Sequence, residues 1–146
     1  MIVYDGETVI NRPLSEVFEY TTTLENLPDW SDTNSVTASS SGAPGPGTRF
    51  SLDMGKGPMR SLIEFQTIGW EKDHSWRFKT VSAGPILWDG SYEFAQVGKD
   101  STMVSTAGRV TMKGWRKLLE PLVRAELRKG EQAELETLKL RLESRR

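Results

Sequence analysis

One histidine, no cysteine and 20 carboxylates set what chemistry this 146-residue chain could perform. His74 sits beside the charged stretch Glu71-Lys72-Asp73, where it reads as a surface residue rather than a catalytic base. Without cysteine there is no disulfide, thiolate nucleophile or cysteine-bound zinc. A lone histidine falls short of the two or more ligands that a metal site normally needs, so no metal and no cofactor are expected. The serines follow no nucleophile-elbow pattern, and His74 is poorly placed to activate one. The run Gly42-Ala43-Pro44-Gly45-Pro46-Gly47 lacks the Lys-Ser/Thr ending of a phosphate loop. It also leads into a strand, whereas a phosphate cradle needs a helix N-terminus behind it. What is left is Asp53, Glu64, Asp89 and Glu93 on predicted strands. Their alternation points most of them away from the interior. A register slip of one residue would exchange the faces. Glu64 with Arg60, or Asp89 with Arg77, would then form a buried polar pair able to orient a carbonyl or enol.

The elements that must position such groups follow from periodicity. Residues 2–10 open as a strand, with β-branched Val3, Val9 and Ile10 and aromatic Tyr4. Pro13 suits the first position of a helix whose Leu14, Val17, Phe18 and Thr21 share one face. A second short helical turn covers 24–27, Pro28 ends or tightens it, and Trp30 lies just beyond. Six strands of two-residue period follow, over 35–40, 48–54, 59–68, 75–81, 86–97 and 102–112. Phe50, Leu52 and Met54 share a face, as do Ile63 and Phe65, Trp76 and Phe78, and Ile86, Trp88, Tyr92 and Phe94. Short turns between the strands make the sheet antiparallel, and Gly98-Lys99-Asp100 has good hairpin chemistry.

The stretch 114–143 closes the chain as a long helix. Leu118, Leu119, Leu122, Val123 and Leu127 recur at helical spacing, and Leu135, Leu138 and Leu142 continue the stripe. Pro121 kinks it or marks its true beginning, with 115–120 as a looser lead-in. A mid-helix glycine costs about 1 kcal/mol relative to alanine, so Gly130 predicts a bend or a close approach. The stripe needs a sheet to cover it. The result is one α+β domain over 1–146, a seven-stranded curved antiparallel sheet around a long C-terminal helix.

Composition sets the outer limits. A net charge of −1 gives no argument for nucleic acid or an anionic membrane. From Gly114 onward nine Lys and Arg face six Asp and Glu, which reads as a solvated helix face. No apolar run is long enough to span a membrane, and the start has no signal-peptide pattern. A cytoplasmic domain is expected.

Several strings then resemble a known superfamily. Arg12-Pro13-Leu14-Ser15-Glu16-Val17-Phe18 resembles the opening helix of the bacterial branch of the START-like (SRPBCC) helix-grip proteins. Leu24-Glu25-Asn26-Leu27-Pro28-Asp29-Trp30 is similar to its second helical turn and following tryptophan. Gly45-Pro46-Gly47-Thr48-Arg49-Phe50 resembles its glycine-rich turn into the third strand, and Leu135-Glu136-Thr137-Leu138-Lys139 the end of its closing helix. That superfamily holds birch-pollen-allergen, polyketide cyclase/dehydrase and lipid-transport proteins. The resemblance implies a cavity between sheet and helix that accepts apolar molecules, although one scaffold hosts carriers, cyclases and regulatory modules. The inward aromatics and flexible methionines fit such a cavity, and small Gly90 and Gly108 on the same faces would leave room. Its expected walls are Trp30, Phe50, Met54, Met59, Ile63, Trp76, Phe78, Trp88, Tyr92, Val110, Leu119, Leu122 and Val123. Loops around 55–58 and 84–85 would serve as gates beside Trp30.

Three functions follow as expectations. The first is a carrier whose partner is a small hydrophobic molecule, such as a lipid, quinone or polyketide-like aromatic. The second is a cofactor-independent cyclase or dehydratase, with Tyr92 and Arg109 as the polar groups that polarise the substrate. The third is a chaperone-regulating interaction module that uses an outer surface.

Overall fold

The computed structural model describes residues 1–38, 45–57, 60–81 and 84–145. Strand β1 (Ile2–Ile10) is followed by helix α1 (Leu14–Thr22), a 3-10 turn (Leu24–Asn26) and helix α2 (Leu27–Trp30). Strands β2 (Thr33–Ala38), β3 (Arg49–Met54), β4 (Ser61–Glu71), β5 (Ser75–Thr80), β6 (Ile86–Gly98) and β7 (Ser101–Met112) come next. A second 3-10 turn (Gly114–Leu119) then leads into helix α3 (Glu120–Glu143). The seven strands form one antiparallel sheet in the order β1-β7-β6-β5-β4-β3-β2. The alternation predicts this seven-stranded antiparallel sheet, and the helix-grip architecture is the one the resemblance implies.

Two prolines each open a helix. Pro121 opens α3 in its first turn, where the missing N–H is no loss. Pro28 opens α2 in the same way, so it starts the second short helix rather than ending it, and Trp30 closes that helix. Strand β4 runs further than its sequence suggests, to Glu71. A register shift between Thr67 and Gly69 accommodates the extra length, and Trp70 packs its ring on Phe18 at 5.3 Å.

The face assignments of the strands are those of the two-residue period. Phe50, Leu52, Phe65, Trp76, Phe78, Tyr92, Phe94 and Val104 are buried on the inner face. The carboxylates face outward: Asp53 pairs with Arg60 at 2.7 Å and Asp89 approaches Arg109 at 3.9 Å. Neither the Glu64–Arg60 nor the Asp89–Arg77 pair forms inside.

The basic residues of α3 do more than face water. The Arg128 guanidinium donates to the Val3 carbonyl at 3.2 Å, and the Lys139 ammonium donates to the Val9 carbonyl. Both acceptors lie on β1, an edge strand whose free carbonyls would otherwise template further pairing.

Candidate functional site

Helix α3 meets the sheet unevenly. Near its C-terminus Leu135, Leu138 and Leu142 pack into the main core with α1, α2 and the strand aromatics. Near its N-terminus, Val123 and Leu127 are only partly buried where they pack against Ile2, Tyr4, Val110 and Met112. Between this half of the helix, the β3–β4 end of the sheet and the starts of β6 and the last turn of β7 lies a cavity of about 840 Å³. That volume lies within the usual range for small-molecule pockets. Exposed Trp115 and Leu122 stand on its rim, so it is open to solvent there.

Of the expected wall residues, Trp30, Met54, Ile63, Trp88, Val110, Leu119, Leu122 and Val123 line this cavity. Phe50, Trp76, Phe78 and Tyr92 do not. They surround a separate inner void of about 40 Å³ and pack on one another, with Trp76 5.1 Å from Phe78 and 5.9 Å from both Phe50 and Tyr92. Ring–ring contact is what these faces offer, so this half of the interior is core. Met59 lies outside the described residues, and so do Pro58 and Ala83 of the two loops expected to gate. Gly55 and Lys56 do line the cavity.

Gly90 and Gly108 leave no empty space, contrary to expectation. They sit opposite each other on β6 and β7. A Cβ on Gly108 would fall 2.3 Å from the Tyr4 hydroxyl, and one on Gly90 2.8 Å from the Phe78 ring. The phenol of Tyr4 fills the gap and accepts a hydrogen bond from Trp88 Nε1 at 2.9 Å. This bond fixes the Trp88 ring as a cavity wall. Burial, with Glu131 adding repulsion, pushes the Tyr4 phenol far above its ordinary value, so it stays protonated.

Arg109 is a second correction. It lies on the outer face, 63% exposed, beside Asp89, and cannot reach a ligand inside. Tyr92 is buried beneath the cavity floor, and burial first, then Glu131 and Glu134, push its phenol well above the usual range. Its hydroxyl is therefore a neutral hydrogen-bonding group, not a base.

The polar groups that the cavity does contain come from α3. Glu131 is 5% exposed and Glu134 is part-buried, one helical turn apart, and both line the cavity and the inner void. Glu134 accepts a hydrogen bond from the Asp32 backbone N–H at 2.8 Å, which ties α3 to the segment after α2. Glu131 has no hydrogen-bond or ion-pair partner among the described residues. Burial is the main reason its carboxyl is pushed up to about 9, with repulsion from Glu134 and Asp32 adding to it. Burial also pushes Glu134 up to about 7, against the lowering effect of the Asp32 amide. Neither residue stood out among the strand carboxylates. Their signal was a gap in the leucine stripe: Glu131 sits four residues after Leu127 and four before Leu135. Among the described residues, no group of three or more His, Cys, Asp or Glu is placed to hold a metal ion, and no helix is long and apolar enough to cross a membrane.

Residues 1–143 match the family model described as polyketide cyclase / dehydrase and lipid transport, a description that covers both reactions and carriage. A comparison with curated proteins finds no match. Among solved structures, a Thermus thermophilus protein superposes with a TM-score of 0.77 at 21% identity, covering 97% of each chain. A START superfamily protein from Mycobacterium smegmatis gives 0.80 at 12% identity, again over 97% of each chain. The Zhui aromatase/cyclase from a Streptomyces species gives 0.83 at 9% identity, over 97% of this chain and 93% of that one. At such identities the structures speak for the fold, and the match over nearly the whole length speaks for the family. The chain belongs to the polyketide cyclase / dehydrase and lipid transport family.

Proposed function

We propose that this protein binds and carries a small, mainly apolar molecule in the cavity between the sheet and the N-terminal half of α3. The observation that carries this reading is the cavity itself, about 840 Å³ with walls of Trp30, Met54, Ile63, Trp88, Val110 and Val123. Burying an apolar ligand there gains about 25 cal/mol per Å² of apolar surface removed from water. The aromatic walls Trp30 and Trp88 supply shape selection. A lipid tail, a quinone or a polyketide-like aromatic fits such walls. Native mass spectrometry after gentle purification, followed by organic extraction, tests the reading. A bound apolar compound of constant mass is the expected result, and a protein that retains none and takes up no apolar probe overturns it.

A second reading, a cyclase or dehydratase, draws support from the acid groups at the inner end of the cavity. Glu131, held protonated near neutral pH, has the protonation state of a general acid. Turnover of a polyketide-like substrate that falls at least a hundredfold in Glu131→Gln, while binding is kept, would favour it. Equal turnover in both proteins would remove it. Tyr92→Phe tests the neutral phenol in the same assay.

A further inference from the structure

Glu131 presents a problem that the cavity walls do not solve. As a residue Glu131 is only 5% exposed and faces the cavity and the inner void, yet no donor and no cation of the protein answers its carboxyl among the described residues. Buried polar groups are nearly always hydrogen-bonded, and buried charges are paired. The cations on the cavity wall, Lys56, Arg116 and Lys129, form no ion pair with Glu131 or Glu134. Glu131, with Glu134 held only by the Asp32 amide beside it, is therefore left for something that enters.

The surroundings narrow what that is. Around the inner void, Glu131 and Glu134 share the wall with Trp88, Tyr92 and Tyr4. Carboxyls beside aromatic rings, with no basic side chain between them, form an acidic, weakly hydrated environment in which Glu131 ionises only when a cation offsets the charge. An ammonium group gains from both parts, by a charge-assisted hydrogen bond to the carboxylate and by attraction to the ring faces. A carbonyl or hydroxyl could accept a hydrogen bond from Glu131, but it would offer the pair of acids no positive charge. An anionic head would bring a negative charge against two acids that burial already holds back from ionising.

We propose that the inner end of the cavity is a recognition site for a primary ammonium group, taken by the Glu131 carboxyl with Glu134 one turn away, while the apolar body of the ligand fills the outer cavity. The substrate class is thus a lipophilic amine. This rests on the reading that the cavity binds a small, mainly apolar molecule, and it adds the polar end of that molecule. Folding has already desolvated the acids, so the incoming cation recovers electrostatic energy that the empty site lacks.

The test uses calorimetric titration of the full chain with octylamine, octanol, octanoate and methyl hexyl ketone, which share a tail and differ at the head. The amine should bind about ten to a hundred times more tightly than the alcohol or ketone, the range of one charged hydrogen bond. In Glu131→Gln that preference should fall at least about tenfold, while octanol affinity stays within about twofold. Glutamine keeps the shape and a donor but not the charge, so a ketone-type ligand would tolerate it. Should Glu131→Gln fail to fold, Glu134→Gln with the wild-type series decides the question. Octanol or ketone binding as tight as octylamine overturns the ammonium site and leaves the apolar cavity standing. Failure of all four probes overturns the cavity reading instead.

Discussion

Over its last turns α3 buries Leu135, Leu138 and Leu142 to 1%, 0% and 0% exposure. Around its first turns Trp115, Leu118 and Leu122 stand 66%, 83% and 61% exposed. The residue types are the same and the sheet is the same, so hydrophobicity does not explain the difference. The partners do. Opposite the C-terminal half lie α1 and α2, and their Val17, Phe18, Leu27 and Trp30 join the strand aromatics in a closed cluster. Opposite the N-terminal half the described residues form no second helical layer, and a 3-10 turn in place of α-helix leads in from β7. One half of the helix completes a core, while the other roofs a cavity. The inserted helices between β1 and β2 thus decide where this fold is solid.

Substitution of paired leucines should separate the halves most sharply. Leu138→Ala removes a fully buried side chain from a closed cluster and is expected to cost about 3 kcal/mol, within the roughly 2–5 kcal/mol of such changes. For a chain of this length that lowers Tm by roughly 10 °C. Leu122→Ala should stay within about 0.5 kcal/mol of wild type but weaken binding of an apolar probe. Equal losses of stability, read by thermal unfolding, would mean that the two halves are packed alike.

A smaller effect is expected where the core meets the cavity wall. Gly108→Ala would force its methyl into the Tyr4 phenol, which is held by Trp88. Overpacking of this kind costs about 1–3 kcal/mol. Displacement of Tyr4 would also release Trp88, so probe affinity should change together with stability. Gly108→Ala at wild-type stability would show that Tyr4 is free to move and that Trp88 is not a fixed wall.

Acid groups at the boundary make stability depend on pH. In the unfolded chain both Glu131 and Glu134 ionise near 4.5, whereas in the folded protein they do so near 9 and 7. Above 4.5 the unfolded state has lost protons that the folded state still holds, so stability falls as pH rises. The slope is at most about 1.4 kcal/mol per pH unit for each group. The Glu134 part ends near pH 7 and the Glu131 part near pH 9. Glu131→Gln should match wild type near pH 4 and exceed it at about pH 8, as measured by unfolding across that range. A wild-type stability that rises from neutral to alkaline pH would contradict the buried, unpaired state of Glu131.

Much of this was legible in the sequence, for specific reasons. Alternation at Phe50-Ser51-Leu52 and Trp76-Arg77-Phe78 gives the inner face, because one face of each strand must be dry. Pro121 gives the start of α3, because its ring fits only the first turn. The position of the cavity was not legible. Phe50, Trp76, Phe78 and Tyr92 point inward as Trp88 does, and only the placement of α1 and α2 makes them core while Trp88 is wall. Arg109 was misplaced because it was chosen for its chemistry, although it alternates with buried Val110 and so stands on the outer face, opposite Asp89. Glu131 was missed because a leucine stripe draws attention to leucines, while the informative position is the one where the stripe is interrupted.

Gly130 offers the finest cut between the halves. It lies on the cavity wall inside a helix that continues from Glu120 to Glu143, and a Cβ there would meet nothing within 4 Å. The expected close approach is therefore absent, and the cost of glycine in a helix is borne without a packing reason. Gly130→Ala should stabilise the protein by roughly 0.5–1 kcal/mol. Its methyl would project toward the cavity, so a bulky apolar probe should bind more weakly while a short one is unaffected. Both shifts together would assign the glycine to cavity volume. Stabilisation with unchanged affinity for every probe would show that the roof has slack at this point. No stabilisation at all would mean that α3 needs the freedom of glycine where it passes from roof to core.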